Sequence, residues 1–302
     1  MKVAVVGAGV VGAAAGRALV RRGHEVVLHE QFALDHTRGS SHGASRIYRT
    51  AYPEREWVEL ARESIARWRE VEVETGEELL VPLGLLEIAG ESAPALEAAG
   101  IEFERRGDEV FQRDAGIIRA DHARAALLRG LDVREHSRVD PGSVDADVVV
   151  VAAGAWAKRM LGLPVVVTRE TVCYFGLAEP RPSLIEHRDG YYYALHDPGG
   201  RRLKAGIHMS GVECEPDDEG KPDVAVVGRV TEWIEERYPD AGPLVATETC
   251  LYTTTIDERF ILTRRGRIVI GSACSGHGFK FAPAVGERLA DLAASDTSRR
   301  QQ

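Results

Sequence analysis

The sequence predicts an α/β fold in which a doubly wound domain is interrupted by an inserted domain built on a mixed sheet. Three observations lead there. The chain opens as strand, glycine motif, helix, strand, and it closes as strand, glycine-rich loop, helix. The segment Asp147–Ala152 is apolar throughout after its first residue, as in a strand that a parallel sheet buries on both faces. The middle carries hairpin signals instead, with Tyr191–Leu195 and Arg202–His208 flanking Asp197-Pro198-Gly199-Gly200.

Each element follows from its pattern. Lys2–Val6 is a short apolar run. In Val10–Arg22 the residues Val11, Ala14, Ala15, Ala18 and Leu19 recur at helical spacing, and Gly23 stops the helix. Glu25–His29 is a second strand with Glu30 at its end. Pro53–Glu74 reads as a helix with Trp57, Leu60, Ala61, Ile65 and Trp68 on one face and Gly76 as its terminator. From Val81 to Gly130 the signal is mixed, with short strands and no strong element, and Leu131–Val139 alternates weakly. A hairpin centred on residues 197–200 would set Tyr193 opposite Lys204, with residues 204, 206 and 208 on one face. Val224–Tyr238 is an amphipathic helix. Arg267–Ile270, Gly271–Gly278 and Pro283–Ala294 form the closing strand, loop and helix. Residues 1–80, 115–163 and 250–302 are assigned to a nucleotide domain, and residues 81–114 and 164–249 to a substrate domain.

Composition narrows the function. The 302 residues suit two domains at roughly 100–200 residues each. A net charge of −9 argues against nucleic acid as a partner. The longest apolar run, Val148–Ala157, is too short to cross a bilayer, which takes about 20 residues. No signal peptide precedes the first strand, so a cytoplasmic protein without a membrane partner is expected. Cys173, Cys214, Cys250 and Cys274 are widely spread with no CxxC pair, so neither a zinc site nor disulfides are expected. Only five of the 38 basic residues are lysine, namely Lys2, Lys158, Lys204, Lys221 and Lys280. A chain that uses arginine for ordinary charge keeps lysine where a compact ammonium with a tunable pKa serves better.

Gly7-Ala8-Gly9-Val10-Val11-Gly12 is a G-x-G-x-x-G run placed between a strand and a helix, with an acid ending the next strand. That is the context a dinucleotide fingerprint requires. Gly7 makes the turn, Gly9 admits the pyrophosphate, and Gly12 lets helix and strand approach. The helix N-terminus offers N–H groups and partial positive charge to phosphate. Glu30 can accept from ribose hydroxyls and disfavours a 2′-phosphate. The motif alone leaves FAD and NAD open. The strand and Ala-Gly turn at Val148–Gly154 and the C-terminal strand–loop–helix are of the kind that flavoproteins lay against FAD.

Three further runs are distinctive: Gly39-Ser40-Ser41-His42-Gly43-Ala44-Ser45-Arg46-Ile47-Tyr48-Arg49, Thr249 to Phe260 with Cys250-Leu251-Tyr252-Thr253, and Ser275-Gly276-His277-Gly278-Phe279-Lys280. Together with the N-terminal fingerprint they resemble the monomeric sarcosine oxidase family of the D-amino-acid-oxidase fold group, which includes N-methyltryptophan, pipecolate and fructosyl amino acid oxidases. The resemblance is firm over residues 1–80 and 186–290. It thins over residues 85–145, where the chain looks short. It implies a Rossmann-like FAD-binding domain with an inserted mixed-sheet substrate domain.

The resemblance also implies roles. Cys250 matches the cysteine that carries the flavin covalently, with Cys274 as a competing candidate and Tyr252 as the tyrosine of the same motif. Lys204 matches the lysine that activates oxygen, where a fixed ammonium stabilises charge developing in a dry site. Arg49 and Lys280 match the pair that holds the substrate carboxylate. Arg46 matches the arginine over the flavin ring, and Tyr193 and His208 match substrate-side groups. Ser41, His42 and Ser45 lie on the flavin loop, Ser45 in place of the usual threonine. Val133, Gly154, Gly276, His277 and Gly278 complete the implied cofactor set, His277 through neighbours that present backbone N–H groups. No metal is implied.

The activity implied is a monomeric FAD-dependent oxidase of a secondary or N-alkyl amino acid. Hydride passes to the flavin and O2 is reduced to H2O2. A flavin dehydrogenase using another acceptor, and a flavin-binding protein without a competent pocket, are the alternatives. The shortness of residues 85–145 is expected to trim elements that flank the cofactor or shape the pocket.

Overall fold

The structure, a computed structural model, describes residues 1–177, 179–198 and 201–295. The chain divides into two compact units. The first holds residues 1–42, 124–167 and 252 onward, and the second residues 43–123 and 168–251.

The first unit is built on a six-stranded sheet. Its order is Ile261–Arg265, Ile268–Ser272, Val148–Val151, Lys2–Val6, Glu25–His29 and Asp132–Arg134. Every neighbouring pair is parallel except the hairpin Ile261–Arg265 with Ile268–Ser272. The four valines of Val148–Val151 are all buried, as a strand covered on both faces requires. The helices Val10–Arg21 and Ala282–Ala294 pack on each other, with Gly286 so close to Ala14 that a Cβ there would lie 2.6 Å from its carbonyl carbon.

The second unit is built on a nine-stranded sheet. Its order is Val212–Glu213, Val166–Gly176, Arg202–His208, Tyr191–Asp197, Ser183–His187, Leu85–Ile88, Glu109–Gln112 and Glu104–Arg106, and Leu244–Thr254 pairs with Val166–Gly176. Leu85–Ile88 runs parallel to Ser183–His187 and antiparallel to Glu109–Gln112, so the sheet is mixed, as expected. The helix Val224–Arg237 covers one face. Asp223 caps it by accepting from the amides of Ala225 and Val226. Its residues Val226, Val230, Trp233 and Ile234 pack with Phe175, Leu184, Tyr192, Leu203 and Ile207. Each such side chain contributes about 1.5–3 kcal/mol of burial. A small sheet of Ser45–Tyr48, Gly116–Arg119 and Leu80–Val81 completes this unit, with the helix Arg55–Thr75.

Three expectations shift. Lys204 pairs with Leu195 and Tyr193 with Gly206, so the hairpin closes later than a turn centred on residues 197–200 would place it. The last pair is Asp197 with Arg202, whose side chains form a 2.6 Å ion pair. Gly199 and Gly200 of the expected turn lie outside the described residues. The slip is two residues, so each side chain keeps its face. In the helix Arg55–Thr75 the buried stripe is Val58, Ala61, Ser64, Trp68 and Val71, while Trp57, Leu60 and Ile65 flank it half-buried. Residues 43–80 and 115–123 fall in the second compact unit, whereas the division expected from the sequence groups 1–80 and 115–163 with the nucleotide domain. The region 85–145, which gave little signal, holds strands and the helices Ala93–Ala98 and Ala120–Leu128.

Candidate active site

Alternation along the strands assigns the two faces of the mixed sheet. Phe175, Leu184, Tyr192, Leu203 and Ile207 point at the helix, so Tyr174, His187, Tyr191, Tyr193, Lys204 and His208 occupy the other face. Leu86 and Ile88 also pack toward the helix, which sends Glu87 to the same polar face. Two buried clusters form against it.

The first surrounds Lys204, which is 6% exposed. Its Nζ donates to the Ser45 carbonyl at 3.2 Å, and Arg46 Nη1 donates to the same oxygen at 2.7 Å. Tyr174 donates to Glu248 at 2.8 Å. A Cβ placed on Gly43 would stand 3.6 Å from Arg46 Nη1, 3.9 Å from Lys204 Nζ and 4.0 Å from the Tyr174 hydroxyl. Burial, and then Arg46, push the Lys204 ammonium down to about 7, against Cys250, Glu248 and Asp197. Burial, and then Cys250, push the Tyr193 phenol up. Cys250 is half-buried in the strand Leu244–Thr254. Lys204, Arg46, Ser45, Tyr193 and Cys250 are thus brought together.

The second cluster surrounds Arg49, which is 8% exposed. Its Nη2 donates to the Tyr191 hydroxyl at 2.6 Å and its Nη1 to the Ala51 carbonyl. The guanidinium lies 4.2 Å from the Tyr52 ring centroid. Glu87 Oε1 stands 3.7 Å from Arg49 Nη1 and 3.7 Å from His187 Nε2, both beyond hydrogen-bond reach. The other Glu87 oxygen accepts from Ser92. Burial opposes both charges, yet Arg49 stays above its ordinary value through Tyr191, Tyr52 and Glu87, and Glu87 stays below its own through His187, Arg49 and Ser92. His187, Tyr191 and His208 stack in sequence, with ring centroids 4.5 and 5.2 Å apart. Gln112 fixes the chain beside Arg49, accepting from the amides of Thr50 and Ala51 and donating to Thr50 Oγ1.

In the first unit the glycine motif sits between strand and helix. A Cβ on Gly12 would lie 1.9 Å from the Gly7 carbonyl oxygen, and Gly7 itself has φ +100°. Gly9 caps the helix Val10–Arg21 without a side chain, and Ser41 Oγ accepts from the amide of Val10 at 3.0 Å. The buried Glu30 carboxylate accepts from the amides of Ala8 and Phe32 at 3.0 and 3.1 Å. Val133 lies on the edge strand opposite Leu28, Gly154 turns at φ +51°, and His42 is half-buried in the loop that follows Ser41. Lys280, 8% exposed, donates to the His277 carbonyl at 3.1 Å. The His277 ring lies 5.2 Å from the Phe260 centroid and 5.5 Å from that of Phe281. The amides of His277 and Gly278 both bond the Cys274 carbonyl at 2.9 Å, which fixes the loop through Gly276. Tyr252, half-buried, belongs to this unit.

The family model for FAD dependent oxidoreductases matches residues 2–292. The chain belongs to that family. It is 32% identical to a monomeric sarcosine oxidase of Bacillus sp. (strain B-0618), over 96% of this chain and 91% of the relative. It is 28% identical to the N-methyl-L-tryptophan oxidase of Yersinia pestis, over 97% and 94%. Among solved structures, NikD, described as an unusual amino acid oxidase essential for nikkomycin biosynthesis, shares the fold with a TM-score of 0.85 at 24% identity, over 98% and 94%. The resemblance read from the motifs therefore holds, and the protein is an FAD-dependent oxidoreductase. Its alignment with the Bacillus relative runs over 357 positions against a chain of 302, so the relative carries insertions that this chain lacks. Among the described residues, no helix is long and apolar enough to cross a membrane.

The residues fit FAD. Gly7 and Gly12 leave no room for a side chain where backbone must come close, and the N-cap Gly9 adds none over the first turn. Glu30 is held by two backbone amides, and each carboxylate oxygen retains acceptor capacity. Sequence reasoning missed Glu87, Gln112, Tyr174 and Glu248. The available signal was a charged or amide side chain inside a short apolar strand, as in Leu85-Leu86-Glu87-Ile88.

Proposed function

We propose that the chain oxidises a secondary or N-alkyl amino acid, and that Arg49 and Lys280 bind the substrate carboxylate. The observation that carries the reading is Arg49, a buried guanidinium that keeps its charge among tyrosines. The activities of the relatives, sarcosine and N-methyl-L-tryptophan oxidation, support the substrate class. They do not favour a flavin dehydrogenase or a flavin-binding protein without a pocket.

FAD, when bound, would supply a two-electron acceptor that O2 can reoxidise. Arg49 orients the substrate so that the carbon bonded to the amine nitrogen is fixed. Tyr193 and His208 stand on the same sheet face for contact with the substrate. The neutral amine loses a hydride from carbon and a proton from nitrogen and leaves as an imine, which water hydrolyses. Two electrons and two protons convert O2 to H2O2. Lys204, beside Arg46, supplies positive charge where negative charge develops on oxygen. Cys250 is the proposed covalent anchor of the FAD, supported by its place near Tyr193 and Lys204. The protein is proposed to act as a cytoplasmic monomer.

Anaerobic flavin bleaching tests the reading. N-methyl and cyclic secondary amino acids should bleach the flavin, and air should restore it with one H2O2 per turnover. Failure of every secondary amino acid to bleach a flavin-replete protein would remove the proposal. For the anchor, acid-precipitated wild type should stay yellow while Cys250→Ala releases its flavin. A colourless wild-type pellet would rule the link out.

A further inference from the structure

We propose that Glu87 sets the positive charge that Arg49 offers to an anion, and so determines how strongly the site discriminates between anionic and uncharged ligands. The proposal rests on the reading that Arg49 binds the substrate carboxylate.

Glu87 is 2% exposed, on the polar face of a strand whose neighbours Leu86 and Ile88 face the helix. A buried carboxylate without a structural partner would be costly, so its place calls for an explanation. Its contacts supply one. Oε2 accepts from Ser92, while Oε1 lies 3.7 Å from Arg49 Nη1 and makes no hydrogen bond to it. Glu87 is therefore a counter-ion to Arg49 and not a clamp on it. The clamp comes from Tyr191 and Ala51, which take one N–H each from Nη2 and Nη1. Gln112 fixes the backbone of Thr50 and Ala51. Orientation and charge are thus supplied by different residues, and charge can be altered while orientation stays.

The charged and titratable groups that meet here are Arg49, Glu87 and His187, with the phenols of Tyr52 and Tyr191. The charges of Arg49 and Glu87 sum to zero. An incoming carboxylate gains Arg49 but meets Glu87 within the same buried corner, where charges interact several-fold more strongly than in water. A ligand without net negative charge escapes that opposition. Glu87 thus weakens plain carboxylates relative to uncharged analogues of the same shape. It acts through Arg49 and is a positioning residue in the electrostatic sense, not a catalytic one.

The test uses the holoenzyme and two probes of one shape, methylthioacetate and uncharged methylthioacetamide. Dissociation constants come from calorimetry and from perturbation of the flavin spectrum. Glu87→Gln keeps shape and removes charge, and should tighten methylthioacetate at least ~5-fold while leaving the amide within about twofold. His187→Arg is a second route. The His187 side chain is 39% exposed, so a permanent cation can stand there and offset Glu87 without emptying the core. It should tighten methylthioacetate in the same direction. Glu87→Asp retains the charge and should bind like wild type. Arg49→Gln separates the two claims. If it leaves methylthioacetate binding unchanged, the carboxylate reading itself fails. If it weakens binding while Glu87→Gln and His187→Arg leave it unchanged or weaker, the carboxylate reading stands and the role of Glu87 is overturned. Equal tightening of both probes would also overturn it, because that is a packing effect.

Discussion

Two buried cations stand against one face of the mixed sheet, and their surroundings treat them in opposite ways. Lys204 is buried and shares the Ser45 carbonyl with Arg46, so burial first and then Arg46 drive the ammonium down to about 7. Arg49 has a carboxylate and two phenols around it and is held above its ordinary value. The first cluster holds its positive charge at a cost that Cys250, Glu248 and Asp197 offset only in part. The second is close to neutral before any ligand arrives. The difference fits the proposed division of labour. Charge that appears only during reaction needs a cation waiting for it, whereas a substrate carboxylate is charged from the start and needs only a site that orients it.

The largest effect should come from removing the waiting cation. Lys204→Met is expected to slow flavin reoxidation on the order of 10³-fold, comparable to losing a preorganised donor, with a much smaller loss in reduction by substrate. Stopped-flow mixing of reduced enzyme with O2 measures it. An unchanged reoxidation rate would assign Lys204 a structural role and dissolve the contrast.

Loss of Arg49 should fail differently. Arg49→Met strands Glu87 as a buried charge without its partner, which should destabilise the fold by about 3–5 kcal/mol. Carboxylate inhibitors should weaken at least ~10-fold, as also for Lys280→Ala. Denaturant unfolding and ligand titration read the two losses separately. A variant as stable as wild type would mean that the Glu87–Arg49 contact is energetically idle.

The cost of the Lys204 cluster can be read from pH. The folded lysine titrates near 7, whereas the unfolded one titrates near the ordinary lysine value of 10.5. Between those values the unfolded chain binds more protons, so the Lys204 contribution to stability rises with pH. Its burial penalty is fully present below about 7 and gone above the unfolded value. The stability of Lys204→Met relative to wild type should thus be greatest near pH 6 and shrink by a few kcal/mol toward pH 10. Subtracting the two proteins removes all other titrations. A flat difference across that range would show that Lys204 keeps its charge easily, making it resemble Arg49 after all.

What the sequence disclosed follows the range of the interactions involved. The glycine fingerprint, Glu30 and the valine strand were legible because each is a local pattern with one structural solution. Arg46, Arg49 and Lys204 were legible only through motif resemblance. Glu87 offered only the weak signal of a charge inside a short apolar strand. In Leu85-Leu86-Glu87-Ile88 a lone glutamate reads as the solvated side of an edge strand, and only the pairing of Leu85–Ile88 with Ser183–His187 and Glu109–Gln112 turns that side inward. Gln112, Tyr174 and Glu248 were hidden for the same reason. The hairpin register was hidden by a single ion pair, since Asp197 with Arg202 closes the strands later than the turn residues suggest.

The smallest effect concerns the backbone that holds the Lys204 cluster. Gly43 has φ +90°, a conformation that L side chains avoid. Yet the space around it is ordinary, since an added Cβ would meet its nearest neighbours, Arg46 Nη1, Lys204 Nζ and the Tyr174 hydroxyl, at 3.6 to 4.0 Å. Gly43→Ala should therefore cost only backbone strain, about 1–2 kcal/mol of stability. Gly43→Asn should cost less than Gly43→Ala, because asparagine tolerates positive φ better. The strain falls two residues from the Ser45 carbonyl that Lys204 and Arg46 share, so reoxidation should slow within about threefold. Carboxylate binding through Arg49 should not change, because Tyr191, Ala51 and Gln112 hold that cluster independently. A stability loss well above 3 kcal/mol would mean that the cations crowd Gly43 more tightly than this. A matching loss of carboxylate affinity would mean that the two clusters are one mechanical unit, and the separation of their roles would then fail.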